Sequence, residues 1–360
     1  MTPARPGTSA IVPRSISHRR PAGAIPPVEA GRFGSLQGAG IASRDMSAVD
    51  RPGTTRIGFL GPEGTFTEQA LLSQTDLAAE ALVALPSIPE VLTAVEAGDV
   101  DLGFVAVENS IEGAVTVTVD NLAFETDLLI QREVIMGVQM NLLAPSGTGL
   151  GDIRRVLSIP VATAQCRGFL QRELPGVTSV ATSSTAEAAM LIAGQEQDGH
   201  TAAIAPAVAA KVYGLDVLAT EIEDHPDNAT RFVVVARAGI PAPTGHDKTS
   251  VVIFQRTDRP GSLLTILQEF AARSINLTKL ESRPTKKGLG HYCFLIDLEG
   301  HIGDELVADC LRDLRSKVED VKFLGSYPAA GEHGPARRRE AEAAWQAARD
   351  WVDGLRREIR

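Results

Sequence analysis

From Thr55 onward, short apolar runs alternate with helical stretches, and this alternation limits the architectures open to the chain. Arg56 to Leu60, Ala81 to Leu85 and Leu102 to Val107 are apolar runs of strand length, separated by helical patterns over Thr67 to Gln74 and Ile88 to Ala97. Continuous apolar runs suit strands covered on both faces, and intervening helices suit crossovers, so the pattern predicts an α/β fold. A second series follows: Leu128 to Leu143, Arg155 to Ile159, a helix over Ala162 to Glu173, Thr178 to Ala181, a helix over Thr185 to Ala193, and Thr201 to Ile204. Arg231 to Ala236 closes it.

Residues 239–247, with Pro241, Pro243 and Gly245, break both periodicities and read as a linker. A new domain over 248–327 follows: strand 249–256, helix 261–273, strand 276–282, a turn at Lys286 to Gly290, strand 291–298, helix 304–316 and strand 320–324. The order is βαββαβ. Residues 328–360 form a charged tail in which Trp345, Ala348, Val352, Leu355 and Ile359 recur at helical spacing, predicting an amphipathic helix packed on its own protein. Residues 1–54 hold seven Arg among Pro, Gly and Ser and read as a disordered leader, with Met46 the expected start.

A net charge of -10 disfavours nonspecific binding to nucleic acid or an anionic membrane. The three cysteines, Cys166, Cys293 and Cys310, lack the paired spacing of zinc or redox motifs and fit a reducing cytoplasm. The histidines form no metal cluster, and no cofactor is expected.

Polar motifs punctuate the strand ends, where α/β sheets bind ligands. Gly61-Pro62-Glu63-Gly64-Thr65-Phe66-Thr67-Glu68 lies between a strand and a helix; it can bind an anion at the helix N-terminus, or Thr65 and Glu68 can form a capping box. Glu108-Asn109-Ser110-Ile111-Glu112-Gly113 ends the third apolar run; Glu108 and Glu112 can form a general acid/base pair or simply begin a loop, Asn109 and Ser110 suit orienting a carboxylate, and Glu108 is expected to play a structural or orienting part. Ser158 reads as the N-cap of a helix carrying Gln165 and Cys166, the cysteine as core rather than nucleophile. Ser183, Ser184, Thr185 and Glu187 begin another helix, as caps or as anion contacts. In Asn228-Ala229-Thr230-Arg231-Phe232 a loop delivers a hydroxyl and a guanidinium to a strand; Arg231 suits a carboxylate, or an ordinary structural salt bridge.

Together these segments, in this order and spacing from Arg56 to Leu324, resemble the prephenate dehydratase family, and the βαββαβ unit resembles an ACT domain. The resemblance implies a two-lobed catalytic domain over 55–238, similar to a type 2 periplasmic binding protein. One lobe would be 55–137 plus 231–238, the other 138–230, with the site between them. It implies elimination of water and carbon dioxide from prephenate to give phenylpyruvate, a homodimer or homotetramer, and L-phenylalanine as effector. The effector site would comprise Gly261, Ser262, Leu263 and Leu264, with Asn276 and Leu277, and Glu281, Ser282, Arg283 and Pro284. Ser262 stands where the family has alanine. Ile159 and Val161 replace a common histidine and glutamine, so no histidine is required at the third motif.

On this basis Thr230 is expected to protonate the departing hydroxyl, with Arg231 balancing a carboxylate and Glu187 tuning Thr230. Thr65, Thr67, Asn109, Ser110, Ser158, Gln165, Ser184, Thr185 and Phe232 are expected to line the substrate. An arogenate dehydratase and a non-catalytic amino-acid sensor are the alternatives.

Overall fold

The computed structural model describes residues 54–194, 199–256, 259–286, 288, 290–331 and 336–358, with side chains of the last segment described from 347 onward. The predicted leader, and Trp345 and Ile359 of the tail stripe, lie outside these side-chain descriptions. No helix among the described residues is long and apolar enough to cross a membrane.

The first lobe opens with β1 (Arg56–Leu60), α1 (Phe66–Leu72), α2 (Thr75–Ala78), β2 (Ala81–Leu85), α3 (Ile88–Ala97), β3 (Leu102–Asn109), the short β4 (Gly113–Ala114), α4 (Thr116–Asp120) and β5 (Leu129–Gly137). The local chemistry of α3 shows why such segments fold as they do. Ser87 accepts the Glu90 N–H at its start, Pro89 occupies the first turn, Gly98 takes φ +83° at its end, and Val91, Leu92 and Val95 bury one stripe.

The second lobe contains β6 (Asn141–Ala144), β7 (Arg155–Ser158), α5 (Pro160–Gln165), α6 (Arg167–Glu173), β8 (Thr178–Ala181), α7 (Thr185–Gly194), β9 (Thr201–Ala205), α8 (Ala207–Tyr213) and β10 (Asp216–Ala219). The chain then returns to the first lobe as β11 (Ala229–Ala236), which lies antiparallel between β3 and β5. The first sheet runs β2-β1-β3-β11-β5 and the second β10-β6-β9-β7-β8.

The helix predicted over Ala162 to Glu173 is broken at Cys166 into α5 and α6. Asp224, distant in sequence, causes the break: its N–H donates to the Gln165 carbonyl at 2.6 Å and its carboxylate accepts the Gly168 N–H at 3.0 and 3.1 Å. Those bonds satisfy the end of one helix and the start of the next.

The third sheet, β13-β14-β12-β15, is built from β12 (Asp247–Phe254), α9 (Ser262–Ala272), β13 (Leu277–Pro284), β14 (Tyr292–Glu299), α10 (Glu305–Lys317) and β15 (Asp320–Pro328). Helices α9 and α10 cover one face through Ile266, Phe270, Val307, Cys310 and Leu314. The opposite face, through Val252, Cys293, Leu295, Leu324 and Tyr327, shares a core with Val105, Val107, Ile130, Val233 and Val235 of the first lobe. Gly325, at φ +142°, permits this crossing, because a Cβ there would come within 2.5 Å of the Ile130 carbonyl oxygen. The linker is tied down as well: Gln131 Nε2 donates to the Gly239 carbonyl at 2.9 Å, and His301 Nε2 lies 2.9 Å from the Pro241 oxygen. Beyond β15, α11 (Ala336–Arg357) pairs with α10 through Arg349 and Glu305, leaving Trp351 67% and Leu355 48% exposed.

Candidate active site

Strands β3 and β11 run antiparallel with Asn109 opposite Thr230, which places an amide beside a hydroxyl at the rim of the first sheet. Asn109 Nδ2 donates to Thr230 Oγ1 at 3.0 Å and to Asn228 Oδ1 at 2.8 Å, while its Oδ1 accepts the N–H groups of Ile111 and Glu112, both at 3.0 Å. Because Thr230 accepts from Asn109, its own hydrogen can be directed elsewhere. Ser110 Oγ donates to Asn228 Oδ1 at 3.3 Å and accepts the Ala229 N–H at 3.0 Å.

The second lobe enters through Gln165, whose Oε1 accepts from Asn228 Nδ2 at 3.1 Å and whose Nε2 donates to Glu112 Oε1 at 3.2 Å. Asn228, only 2% exposed, is therefore a hub joining both lobes. The sequence motifs give Asn228 no site role of its own. The signal for Asn228 is its place at the end of a polar loop entering a strand; its side-chain partners come from two other segments and are invisible locally. A further bridge runs from Tyr213 Oη to the Glu63 carbonyl at 2.7 Å, where Gly64 lies so close to α8 that a Cβ would meet the Tyr213 ring at 2.9 Å.

The other expected site residues make bonds to the backbone around them. Ser158 is fully buried and donates to the Ile204 carbonyl at 2.8 Å, stapling β7 to β9; the N-cap of α5 is Ile159, without a side-chain cap. Thr65 accepts the Glu68 N–H at 3.2 Å and donates to the Leu60 carbonyl at 3.2 Å, while Glu68 accepts the Gly64 N–H, so the capping box is the arrangement formed. Thr67 and Thr185 are buried. Ser184 caps α7 by accepting the Glu187 N–H at 2.9 Å, and the Glu187 carboxylate accepts from the Ser183 hydroxyl and N–H. Those bonds hold the Glu187 carboxyl below its ordinary range and engage it at the start of α7.

The largest departure concerns Arg231 and Phe232. Successive strand residues face opposite sides, so Arg231 cannot join Thr230 at the rim. Its Nε contacts Glu133 Oε1 at 2.5 Å as an ion pair, Nη1 reaches Asp297 Oδ2 at 2.5 Å and Glu108 Oε2 at 3.7 Å, and Nη2 donates to Tyr327 Oη at 2.8 Å. Burial opposes charge on this guanidinium, but Tyr327, Asp297 and Glu133 outweigh it and raise its pKa above the ordinary value. Phe232 is 1% exposed and stacks on Phe104, centroids 5.2 Å apart, in the core under α1. Cys166 is fully buried, and burial pushes its thiol up to about 12, which fits a core residue.

In the C-terminal domain Gly261 takes φ +88° before α9 and Ser262 Oγ accepts the Arg259 N–H at 3.1 Å. Leu263 packs on the core whereas Leu264 is 58% exposed. Asn276 donates to Glu299 at 3.0 Å beside Leu277. On β13, Ser282 and Pro284 are exposed, while Glu281 and Arg283 turn inward; Arg283 reaches Asp120 of α4 at 2.5 Å.

The two-lobed domain followed by a βαββαβ domain matches known proteins in sequence and fold. Residues 57–239 match the family described as prephenate dehydratase, and residues 249–316 the ACT domain. The chain belongs to the prephenate dehydratase family. It is 43% identical over 310 residues to the prephenate dehydratase of Amycolatopsis methanolica, spanning 84% of this chain and 98% of that one. Its fold is similar to that of prephenate dehydratase from Arthrobacter aurescens in complex with L-Phe, with a TM-score of 0.77, 41% identity, and coverage of 84% and 100% of the two chains. It is also similar to GqqA, described as a novel type of quorum quenching acylase, at 30% identity and a TM-score of 0.67, covering 79% and 100%.

Proposed function

We propose that the chain is a prephenate dehydratase, converting prephenate to phenylpyruvate, with Thr230 as the donor to the departing hydroxyl. The observation that carries this reading is the Asn109 to Thr230 hydrogen bond of 3.0 Å, which occupies a Thr230 lone pair and leaves its O–H to point at a substrate. The reaction breaks the bond between the ring and its carboxylate, releasing carbon dioxide. That electron pair completes the aromatic ring and expels the hydroxyl, which leaves as water by taking a proton from solvent while the Thr230 hydroxyl donates a hydrogen bond to the departing oxygen. Aromatisation supplies the driving force, so the protein's tasks are orientation and hydrogen bonding. Asn109, Ser110 and Gln165 serve the first, and Thr230 the second. Threonine is a weak acid, so its contribution is a hydrogen bond that strengthens as the leaving oxygen gains charge.

L-Phenylalanine is the effector in this reading, bound in the C-terminal domain at residues 261–264, 276–277 and 281–284, with Gly261, Leu264, Ser282 and Pro284 exposed to receive it or a second subunit. The protein acts in the cytoplasm as a homodimer or homotetramer. An acylase activity like that described for GqqA would need an activated nucleophile. The cluster around Thr230 supplies amides, hydroxyls and one carboxylate, and Cys166 is buried with its thiol protonated.

The test is an assay of phenylpyruvate formation from prephenate, with arogenate as the competing substrate and with and without L-phenylalanine. Turnover of prephenate that responds to phenylalanine is expected. Exclusive turnover of arogenate, or none of either, would overturn the assignment.

A further inference from the structure

Asn109 and Thr230 face each other on one rung of the β3–β11 ladder, and the adjacent rung pairs Glu108 with Arg231. The first rung holds the proposed donor. The second is held by the C-terminal domain: Asp297 of β14 takes Arg231, and Lys279 of β13 takes Glu108 at 3.1 Å. The two strands are thus gripped at neighbouring positions by opposite charges from one sheet. Glu133 of β5 and Lys248 of β12, 2.8 Å apart, complete a set in which Arg231, Lys248 and Lys279 balance Glu108, Glu133 and Asp297. Ser250 and Tyr327 saturate the rest: Ser250 Oγ donates to Asp297 Oδ1 at 2.5 Å and lies 2.6 Å from Tyr327 Oη.

Immediately beyond Arg231 the ladder shifts register, so regular pairing from the strand interior does not by itself dictate the geometry of these two rungs. The side chains of Glu133 and Asp297 are 0% and 4% exposed, and those of Arg231 and Lys279 13% and 9%, so the grip is buried on the Arg231 side, while Glu108, at 37%, is its partly solvated end. Separating buried opposite charges is costly, so the third sheet and the two strand ends should move together.

We propose that Arg231 is a positioning residue: through it and Glu108 the C-terminal domain sets the placement of Asn109 against Thr230, and a ligand that shifts β13 or β14 changes that placement. This rests on the reading of Thr230 as the donor. β13 carries Lys279 only two residues before Glu281, so a change at the exposed side of that strand has a short mechanical path to the donor.

The test is a kinetic cycle on the full chain, combining Arg231→Met with Thr230→Ala. In the Thr230 background Arg231→Met is expected to lower kcat about tenfold with KM little changed, and Arg231→Lys to recover part of that loss. In the Thr230→Ala background the same substitution should cost less than about twofold, because the group it positions is gone. Equal losses in both backgrounds, or an unchanged kcat, would overturn the proposal. Lys279→Met, which removes the Glu108 partner at 3.1 Å together with a Glu281 contact at 3.6 Å but leaves Arg231 in place, runs through the same cycle should Arg231→Met fail to fold. Wild-type turnover of prephenate, measured first, tests the functional reading alone. Independently of turnover, hydrogen exchange over 108–112 and 228–232 should quicken in Lys279→Met; unchanged exchange in both segments sinks the proposal even if the enzyme is active.

Discussion

The two sides of β11 at its entry are built from opposite materials. Toward the cleft, Thr230 joins Asn109, Ser110, Asn228 and Gln165, a cluster of neutral donors and acceptors with one carboxylate, Glu112, at its edge 3.2 Å from Gln165. Toward the C-terminal domain, Arg231 joins Glu133, Glu108, Asp297, Lys248 and Lys279 in a charged one. Neutral groups suit a surface that must shed water and receive a dianion. Paired charges suit a joint that must not slip, because removing either partner strands a charge in a poorly solvated place.

The sharpest way to break the contrast is on the charged side. Glu133→Ala should destabilise the fold by about 3–5 kcal/mol, since it leaves Arg231 and Lys248 without their shared, fully buried carboxylate. Urea unfolding would measure it, and a loss under about 1 kcal/mol would mean water already screens the cluster. On the neutral side Asn228→Ala should cost less, about 1–3 kcal/mol, because the groups left unpaired are uncharged amides and a hydroxyl. Equal costs for the two variants would erase the distinction.

A smaller effect is expected from pH at the outer edge of the joint. Burial opposes ionisation of Asp120, but Arg283 and Lys286 outweigh it and hold its carboxyl below the ordinary value of 3.8. A carboxyl depressed in the folded state stabilises above its unfolded pKa and loses that contribution as the pH falls through the folded one. The stability gap between the wild type and Asp120→Asn should therefore be full near pH 6 and shrink below about pH 4. Comparing urea midpoints across that range checks the sign. The least costly change is Thr65→Ala, about 1 kcal/mol, for the lost cap of α1.

The sequence displayed periodicity well and partnership poorly. The alternation of runs and helices read out the two α/β series and the βαββαβ unit because each depends on local spacing. The split of one expected helix at Cys166 depends on Asp224, which no window around Cys166 contains. Adjacency in sequence groups Arg231 with Thr230. In a strand adjacency assigns opposite faces, and the carboxylate that claims this guanidinium, Asp297, lies in another domain. Ser158, Ser184 and Glu187 share a different reason. Hydroxyls and acids at helix starts serve the backbone first, and sequence does not show which have a bond left for a ligand. Asn228 illustrates the converse: it was visible in its motif, but its role as a hub arises from Asn109, Ser110 and Gln165 converging on it.

The central claim is that the Thr230 hydroxyl, set by Asn109, assists departure of the ring hydroxyl. It is tested most directly by kcat for phenylpyruvate formation in Thr230→Ala and Thr230→Ser. The account predicts a loss of roughly a hundredfold or more for alanine. It predicts a loss below about tenfold for serine, which retains the hydroxyl. Near-normal turnover by the alanine variant, with its fold intact, would contradict it.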